Sequence, residues 1–439
     1  MPTLRDARLR HAKHYLNVIW EAGKLCERGG ADFHRGISSF DQDLDNIKQS
    51  QSWACRSANK DTEADTLCSN FPDAGAYLVD LRLHPQERIA WQEAGLLSAR
   101  RLNDRNAERT HLNNLGLTFF ALGQPLRAAE SHQAAMSIHR HLGDLRGQAG
   151  SLNNLGMCHA ATGDPKEAIN LFEESLRLCR QIADLNGQWS AVNNRGLAYA
   201  DMGDHRTAIQ SHKQGVMIAR KRGDVRREAT ALGNLGLSYA ARGDYDTAVK
   251  YYEQQLTIAR EINDIHSEAN ALNNLGVAHR HLGDPDAAFE IHKRSLSLFE
   301  SHGDLRGQAT VLGNIGLDLV VLGDLTRAVE FLEMDLKISR EIRNRRGEGT
   351  ALGNLGIVHK NKGDLKKAIE CYRLQLGLAC DTSDRGSEGR ALWNLSLLLE
   401  KVGNRIQAIK CAQRALRIFE LTESPEQPMV RRALALWSD

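Results

Sequence analysis

The string Asn-Leu-Gly first stands at Asn114-Leu115-Gly116 and returns at multiples of forty residues, at Asn154, Asn234, Asn274 and Asn354. The variants Asn194-Arg195-Gly196, Asn314-Ile315-Gly316 and Asn394-Leu395-Ser396 fill the intervals, so eight units run head to tail without insertion. A fixed period of this length belongs to stacked supersecondary units, each burying its apolar face against its neighbours. Seven residues after each Gly (or Ser396) stands a second glycine: Gly123, Gly163, Gly203, Gly243, Gly283, Gly323, Gly363 and Gly403. Five residues further comes an invariant alanine: Ala128, Ala168, Ala208, Ala248, Ala288, Ala328, Ala368 and Ala408.

Each unit reads as two helices. In the second unit Leu152, Leu155, Gly156 and His159 share one face of a first helix, A, by their i, i+3, i+4, i+7 spacing. Gly163 ends it, since glycine tolerates the left-handed conformation a helix C-terminus requires. Asp164 caps a second helix, B, Pro165 suits its first turn, and Glu167 completes a capping-box pattern. Ala168, Ile169, Phe172, Leu176 and Cys179 form its packing side. A further turn, often Gly-Asp as at Gly143-Asp144, Gly223-Asp224 and Gly303-Asp304, closes the unit. The seven glycines inside A helices cost about 7 kcal/mol of helix propensity. Close approach of the paired helix is expected to offset this, with the invariant alanine of helix B opposite. The expected fold is all-α: a right-handed superhelical α-solenoid of antiparallel helix pairs.

The leucine-glycine pair, the aromatic three residues later (Tyr199, Tyr239; His159, His279 and His359 elsewhere), the Gly-Asp turn and the alanine together resemble the tetratricopeptide repeat. The resemblance covers residues 106–425 and recurs eight times. The period departs from the common 34 residues and is similar to the longer-helix subclass of Pins/LGN-type adaptors and the arrays of bacterial STAND/NB-ARC-type regulators. No GoLoco-type segment follows the repeats, so a heterotrimeric G-protein link is not implied. Residues 67–105, with Trp91, Leu96 and Leu102 in places like those of helix B, read as a degenerate capping repeat. Residues 1–66 read as a separate helical region, similar to the helical linker that follows nucleotide-binding modules in STAND regulators. Residues 426–439, with Leu434 and Trp437, read as a capping helix, which an open solenoid end needs.

Composition excludes several classes. The 439 residues carry a formal net charge of +2 with 26% charged side chains, too balanced for long-range attraction to nucleic acid or an anionic membrane. The eight cysteines are scattered without C-x-x-C spacing, which suits reduced, buried thiols. The N-terminus has no apolar signal core and no stretch approaches 18 apolar residues, so a cytoplasmic protein is expected. No phosphate-binding glycine loop follows a strand, and no Ser/His/Asp or Cys/His set can be assembled. No catalysis, cofactor or metal is expected. Among the seventeen histidines, His132, His212 and His292 share a helix B position that Phe172, Tyr252 and Tyr372 occupy elsewhere, and exchange with aromatics points to packing. Arg140, Arg180, Arg220, Arg260 and Arg340 form a helix B row; Asp144, Asp184, Asp224 and Asp264 follow the first four at i+4, the spacing of local ion pairs.

The asparagine row carries the functional expectation. Asn114, Asn154, Asn194, Asn234, Asn274, Asn314, Asn354 and Asn394 place one amide on every A helix, at a total propensity cost of about 5 kcal/mol. Residues equivalent to 110, 114, 117 and 121 share this stripe, off the leucine-glycine packing face. In the resembled family that stripe lines the concave surface, and such asparagines bond the backbone or carboxylate of a bound peptide. The amides would then be a ladder for an extended chain; the other reading is that each bonds the adjacent repeat and stiffens the array. One turn on, the early units carry Phe120, Ala121, Ala160, Ala161, Ala200 and Asp201, and the later ones Arg280, His281, Lys360, Asn361 and Lys401. Arg390 and Trp393 join them in the last unit as residue types favoured at interfaces. The expected partner is a protein or peptide, acidic or bearing a free C-terminal carboxylate, with self-association open. The alternative is a regulatory or sensor arm of a separate STAND-type ATPase or other signalling effector.

Overall fold

A computed structural model describes residues 3–382, 384–422, 424 and 426–438; at 438 only the backbone is described. Twenty-two α-helices and one short 3-10 turn, Ala58–Lys60, make up the fold, with no strand among the described residues. The chain divides into two units, Met1–Arg222 and Gly223–Asp439, and each is an α-solenoid of antiparallel helix pairs. No helix among the described residues is long and apolar enough to cross a membrane.

The first unit begins with a long pair, α1 (Leu4–Arg28) and α2 (Gly30–Ser57), packed on α3 (Thr62–Ala74). The short α4 (Ala76–Arg82) leads into α5 (Pro85–Arg101). Helices α3 and α5 hold the places of A and B in an incomplete repeat, and α3 starts at Thr62 rather than 67 because Asp61 caps it, accepting from the Glu63 and Ala64 N–H groups. Three full repeats follow: α6 (Arg105–Ala121) with α7 (Pro125–His141), α8 (Leu145–Ala161) with α9 (Pro165–Gln181), and α10 (Leu185–Asp201) with α11 (His205–Arg222).

The second unit holds five repeats: α12 (Val225–Ala241) with α13 (Tyr245–Glu261), α14 (Ile265–His281) with α15 (Pro285–Ser301), α16 (Leu305–Leu322) with α17 (Leu325–Glu341), α18 (Arg345–Asn361) with α19 (Leu365–Asp381), and α20 (Arg385–Lys401) with α21 (Arg405–Leu421). A last helix, α22 (Gln427–Ser438), packs on α21.

Local sequence sets these boundaries. Asp164 accepts from the Glu167 N–H and Pro165 stands in the first turn of α9, satisfying donors that a helix start leaves orphaned. Gly163 turns the chain with φ +84°. In the turn between repeats, where Gly143, Gly223 and Gly303 have φ +66°, the left-handed position is held without glycine at Asn103, Ala183, Asn263 and Arg343, at a steric cost of about 1 kcal/mol each.

The eight helix B alanines are completely buried, but they are not what the helix A glycines oppose. Each glycine instead forms a socket for a large side chain one turn along helix B. A Cβ added to Gly156 would stand 2.5 Å from the Phe172 ring, and one added to Gly236 would stand 2.5 Å from the Tyr252 ring. His132, His212, His292, Leu332 and Tyr372 fill the sockets of Gly116, Gly196, Gly276, Gly316 and Gly356 in the same way. The propensity cost of glycine is offset by burying a ring or branched chain at full packing density. The last repeat inverts the pair, with Ser396 in the glycine's place and the small Ala412 opposite.

The arginine row also differs from expectation. Arg260 Nε donates to Glu268 Oε1 at 2.7 Å and Arg340 Nε to Glu348 Oε1 at 2.8 Å. These partners lie at i+8, across the turn, because the residue at i+4 is occupied as the N-cap of the next helix: Asp264 accepts from the Ser267 N–H and Asn344 from the Gly347 N–H.

Candidate functional site

Within a unit, A helices of successive repeats touch: α8 meets α10, and α12, α14, α16, α18 and α20 meet in order. B helices of successive repeats have no comparable contact among the described residues. The A helices therefore form the inner side of each stack, and all eight asparagines of the row lie on it half-buried.

The row is not uniform. Asn114 Nδ2 donates to Asp73 Oδ1 at 3.3 Å, Asn194 Nδ2 to Asn153 Oδ1 at 3.1 Å, and Asn314 Nδ2 to Asn273 Oδ1 at 2.8 Å. In each case the acceptor stands 41 positions earlier, on the preceding A-type helix, so these amides are rungs between neighbours. Asn234 is engaged as well. Asn154, Asn274, Asn354 and Asn394 have no side-chain hydrogen-bond partner among the described residues. For the last three the reason is local: the residue 41 positions earlier is Gly233, Gly313 or Gly353, with no acceptor to offer. Asn113, in the corresponding place for Asn154, is turned toward His139 Nε2 instead.

Beside the amides, at the equivalents of position 117 that spacing places on the same stripe, runs a row of side chains whose aliphatic character carried no expectation: Leu117, Met157, Leu197, Leu237, Val277, Leu317, Ile357 and Leu397. Leu117 is 53% exposed and Leu237 48%. The signal was present as an aliphatic residue three positions after every Asn. On the other flank stand small polar residues, Thr110, Ser190, Thr230, Thr310 and Thr350 among them.

The basic residues fare differently from one another. Arg280 is only 12% exposed at its side chain; its Nη1 donates to Asp318 Oδ1 at 2.8 Å and to the Asn314 carbonyl at 3.1 Å. Its charge is already used between repeats. His281 stacks on Tyr245, ring centroids 4.4 Å apart. Lys360 and Arg390 are exposed. Trp393 is 7% exposed and stacks on Trp437 of α22 at 6.1 Å, so it anchors the terminal helix and not an open face.

In the second unit a cleft of about 480 Å³ opens on the inner side between α16 and α18, with both Asn314 and Asn354 in its wall. A smaller one of about 220 Å³, between α14 and α16, includes Asn273 and Thr310. The floor of the larger holds Asp335 from α17, 5% exposed. Burial pushes its carboxyl up to about 7, against a lowering contribution from the Ser339 hydroxyl that donates to it. In the first unit a hollow of about 800 Å³ between α1, α2, α3 and α4 presents Trp20, Phe33 and Tyr77.

Two tetratricopeptide repeat profiles match the sequence, one over residues 106–181, 147–221 and 227–301 and the other over 351–386. The chain is a tetratricopeptide-repeat protein. No curated protein matches the sequence significantly. Among solved structures, this tetratricopeptide-repeat chain is similar to the apo quorum sensor NprR from Bacillus thuringiensis, with 14% identity and a TM-score of 0.57, covering 84% of this chain and 97% of that one. Aspartyl phosphate phosphatase F from Bacillus subtilis gives 12% identity and a TM-score of 0.56, covering 84% and 94%. A STAND protein with a tetratricopeptide repeat sensor from Pyrococcus horikoshii gives 13% and 0.54, covering 87% of this chain and 65% of that one. At these identities the likeness concerns the fold.

Proposed function

We propose that this tetratricopeptide-repeat protein is a binding scaffold that holds an extended peptide or protein segment along its inner, A-helix side. The carrying observation is the split of the amide row. Asn274, Asn354 and Asn394 keep donors and acceptor unspent beside the half-buried Val277 and Ile357 and the exposed Leu397. An extended chain needs both kinds of contact: main-chain groups to pair with amides, and alternate side chains to cover apolar surface. A stiffening role alone accounts for Asn114, Asn194 and Asn314 but gives no use to the free amides. The array presents its contacts on rigid helices, so little ordering cost falls on the protein. Exposed Lys360 and Arg390 favour an acidic group or terminal carboxylate near the last repeats.

The test is selection of a random peptide library on the purified chain, followed by affinity measurement on the Asn274→Ala/Asn354→Ala/Asn394→Ala variant. Loss of about tenfold or more in affinity, with helicity and melting temperature kept, is expected. Equal affinity for the selected peptides would leave the row a purely structural device.

A further inference from the structure

Two positions on facing helices exchange volume along the array. Where helix A carries Asn ahead of the row, helix B carries a small residue: Asn113 with Ala135, Asn153 with Ser175, Asn193 with Gly215, Asn273 with Ser295. Where helix A carries glycine, helix B carries a larger polar one: Gly233 with Gln255, Gly313 with Asp335, Gly353 with Gln375. In each of these three pairs the helix B side chain reaches into the notch the glycine leaves; a Cβ on Gly313 would stand 2.9 Å from Asp335 Oδ2. Asp335 is the shortest of the three and the one that ionises. Its Oδ1 accepts from Ser339 Oγ at 3.0 Å, while its Oδ2 has no donor among the described residues. The same missing side chain at 313 leaves Asn354 without its rung. A buried carboxyl oxygen and a half-buried amide thus face the same cleft, both unspent.

We propose that this cleft is the anchor subsite of the inner face and takes a basic side chain, lysine or arginine, of the bound segment, with Asp335 as its counter-ion and the Asn354 amide in the wall beside it. This rests on the reading that the inner side binds an extended segment. The cations near the cleft do not neutralise Asp335. Arg346 is 83% exposed and lies 3.5 Å from Asp384, and Arg306 is exposed at the rim. Charges in water are screened, whereas the floor sits in a low-dielectric site where an ion pair is strongest. A long basic side chain can pass its methylene stem along the wall, where Leu317 lies, and bring only its head group to the floor. The rim arginines then suit an acidic neighbour in the same segment. Burial pushes the Asp335 carboxyl up to about 7, so an arriving cation meets a group that ionises readily near neutral pH.

The experiment takes peptides selected on the wild-type chain and compares each with its basic-to-norleucine analogue, on wild type and on Asp335→Asn. The expected result is a basic residue at a fixed place in the selected sequences. Its replacement should weaken binding about tenfold on wild type and less than about twofold on the variant. Equal losses on both proteins, or selected peptides with no basic residue in common, overturn the subsite while leaving the binding face intact. If no peptide is selected, the wider reading fails, and titration with agmatine decides the subsite alone. Thermal stabilisation of wild type but not of Asp335→Asn supports it, and equal response of the two overturns it.

Discussion

Gly236 lies against Tyr252 so closely that a methyl group placed on it would stand 2.5 Å from the ring's Cε1. Gly150, in the next-but-one A helix toward the N-terminus, has nothing within 4 Å of the same place. The two glycines cost the same in helix propensity but only one returns anything. Gly150→Ala should therefore stabilise the protein by about 0.5–1 kcal/mol. Gly236→Ala should destabilise it by about 1–3 kcal/mol as the ring is forced from its socket. Urea unfolding of the two variants compares them directly; the same sign for both would show that the sockets are not close-packed.

The buried imidazoles of His132 and His212 occupy two such sockets, and each leaves Nδ1 without a hydrogen bond. Burial lowers both from the ordinary 6.5 to about 4. Between those values the unfolded chain binds more protons than the folded one. Stability is therefore complete above pH 6.5 and is lost as the pH falls toward 4. Phe172 fills the equivalent socket, so His132→Phe and His212→Phe should preserve packing and remove the acid sensitivity. Each should recover on the order of 1–2 kcal/mol at pH 5 relative to wild type, with little change at pH 7.5. Melting curves at the two pH values check this; a parallel loss in wild type and variants would assign the acid sensitivity elsewhere.

The period, the helix ends and the inner stripe were legible because they depend on residues close in sequence: caps, turn glycines and 3.6-residue spacing. What a given member of a row does was not. Asn314 is a rung and Asn354 is free because position 273 is Asn and position 313 is Gly, a relation across 41 residues that a single-repeat pattern hides. Trp393 was read as an interface anchor, yet its partner is Trp437, which lies outside the periodic part of the chain. The glycine sockets were misassigned to alanine because opposition between helices depends on their relative rotation, which spacing within one helix does not give.

That difference between amides has a consequence for stability. Asn314→Ala removes an inter-repeat hydrogen bond of 2.8 Å to Asn273 and should cost about 1 kcal/mol. Asn354→Ala removes no bond and replaces a mediocre helix former, so it should gain about 0.5 kcal/mol. The opposite signs should appear in the midpoints of chemical unfolding. If both substitutions destabilise equally, Asn354 has a partner and the free-amide argument for a binding face is lost.

Arg280, Asp318 and His292 form a polar triad between the second and third repeats of the second unit. Asp318 and His292 are completely buried and hydrogen-bonded to each other, and Arg280 completes the charge. The next interface holds Val320, Leu332 and Val358 in the corresponding places, packed as part of one apolar cluster. The array therefore contains its own hydrophobic equivalent of the triad. Arg280→Val alone strips a buried carboxylate of its arginine and should cost about 3–5 kcal/mol. Adding His292→Leu and Asp318→Val copies the neighbouring interface and should recover most of that loss, because desolvation of the charges is removed along with their attraction. Thermal and urea unfolding of the single and triple variants measure both steps. A triple variant as unstable as the single one would mean that the two interfaces differ in backbone geometry and that the triad fits a spacing which valine and leucine cannot fill.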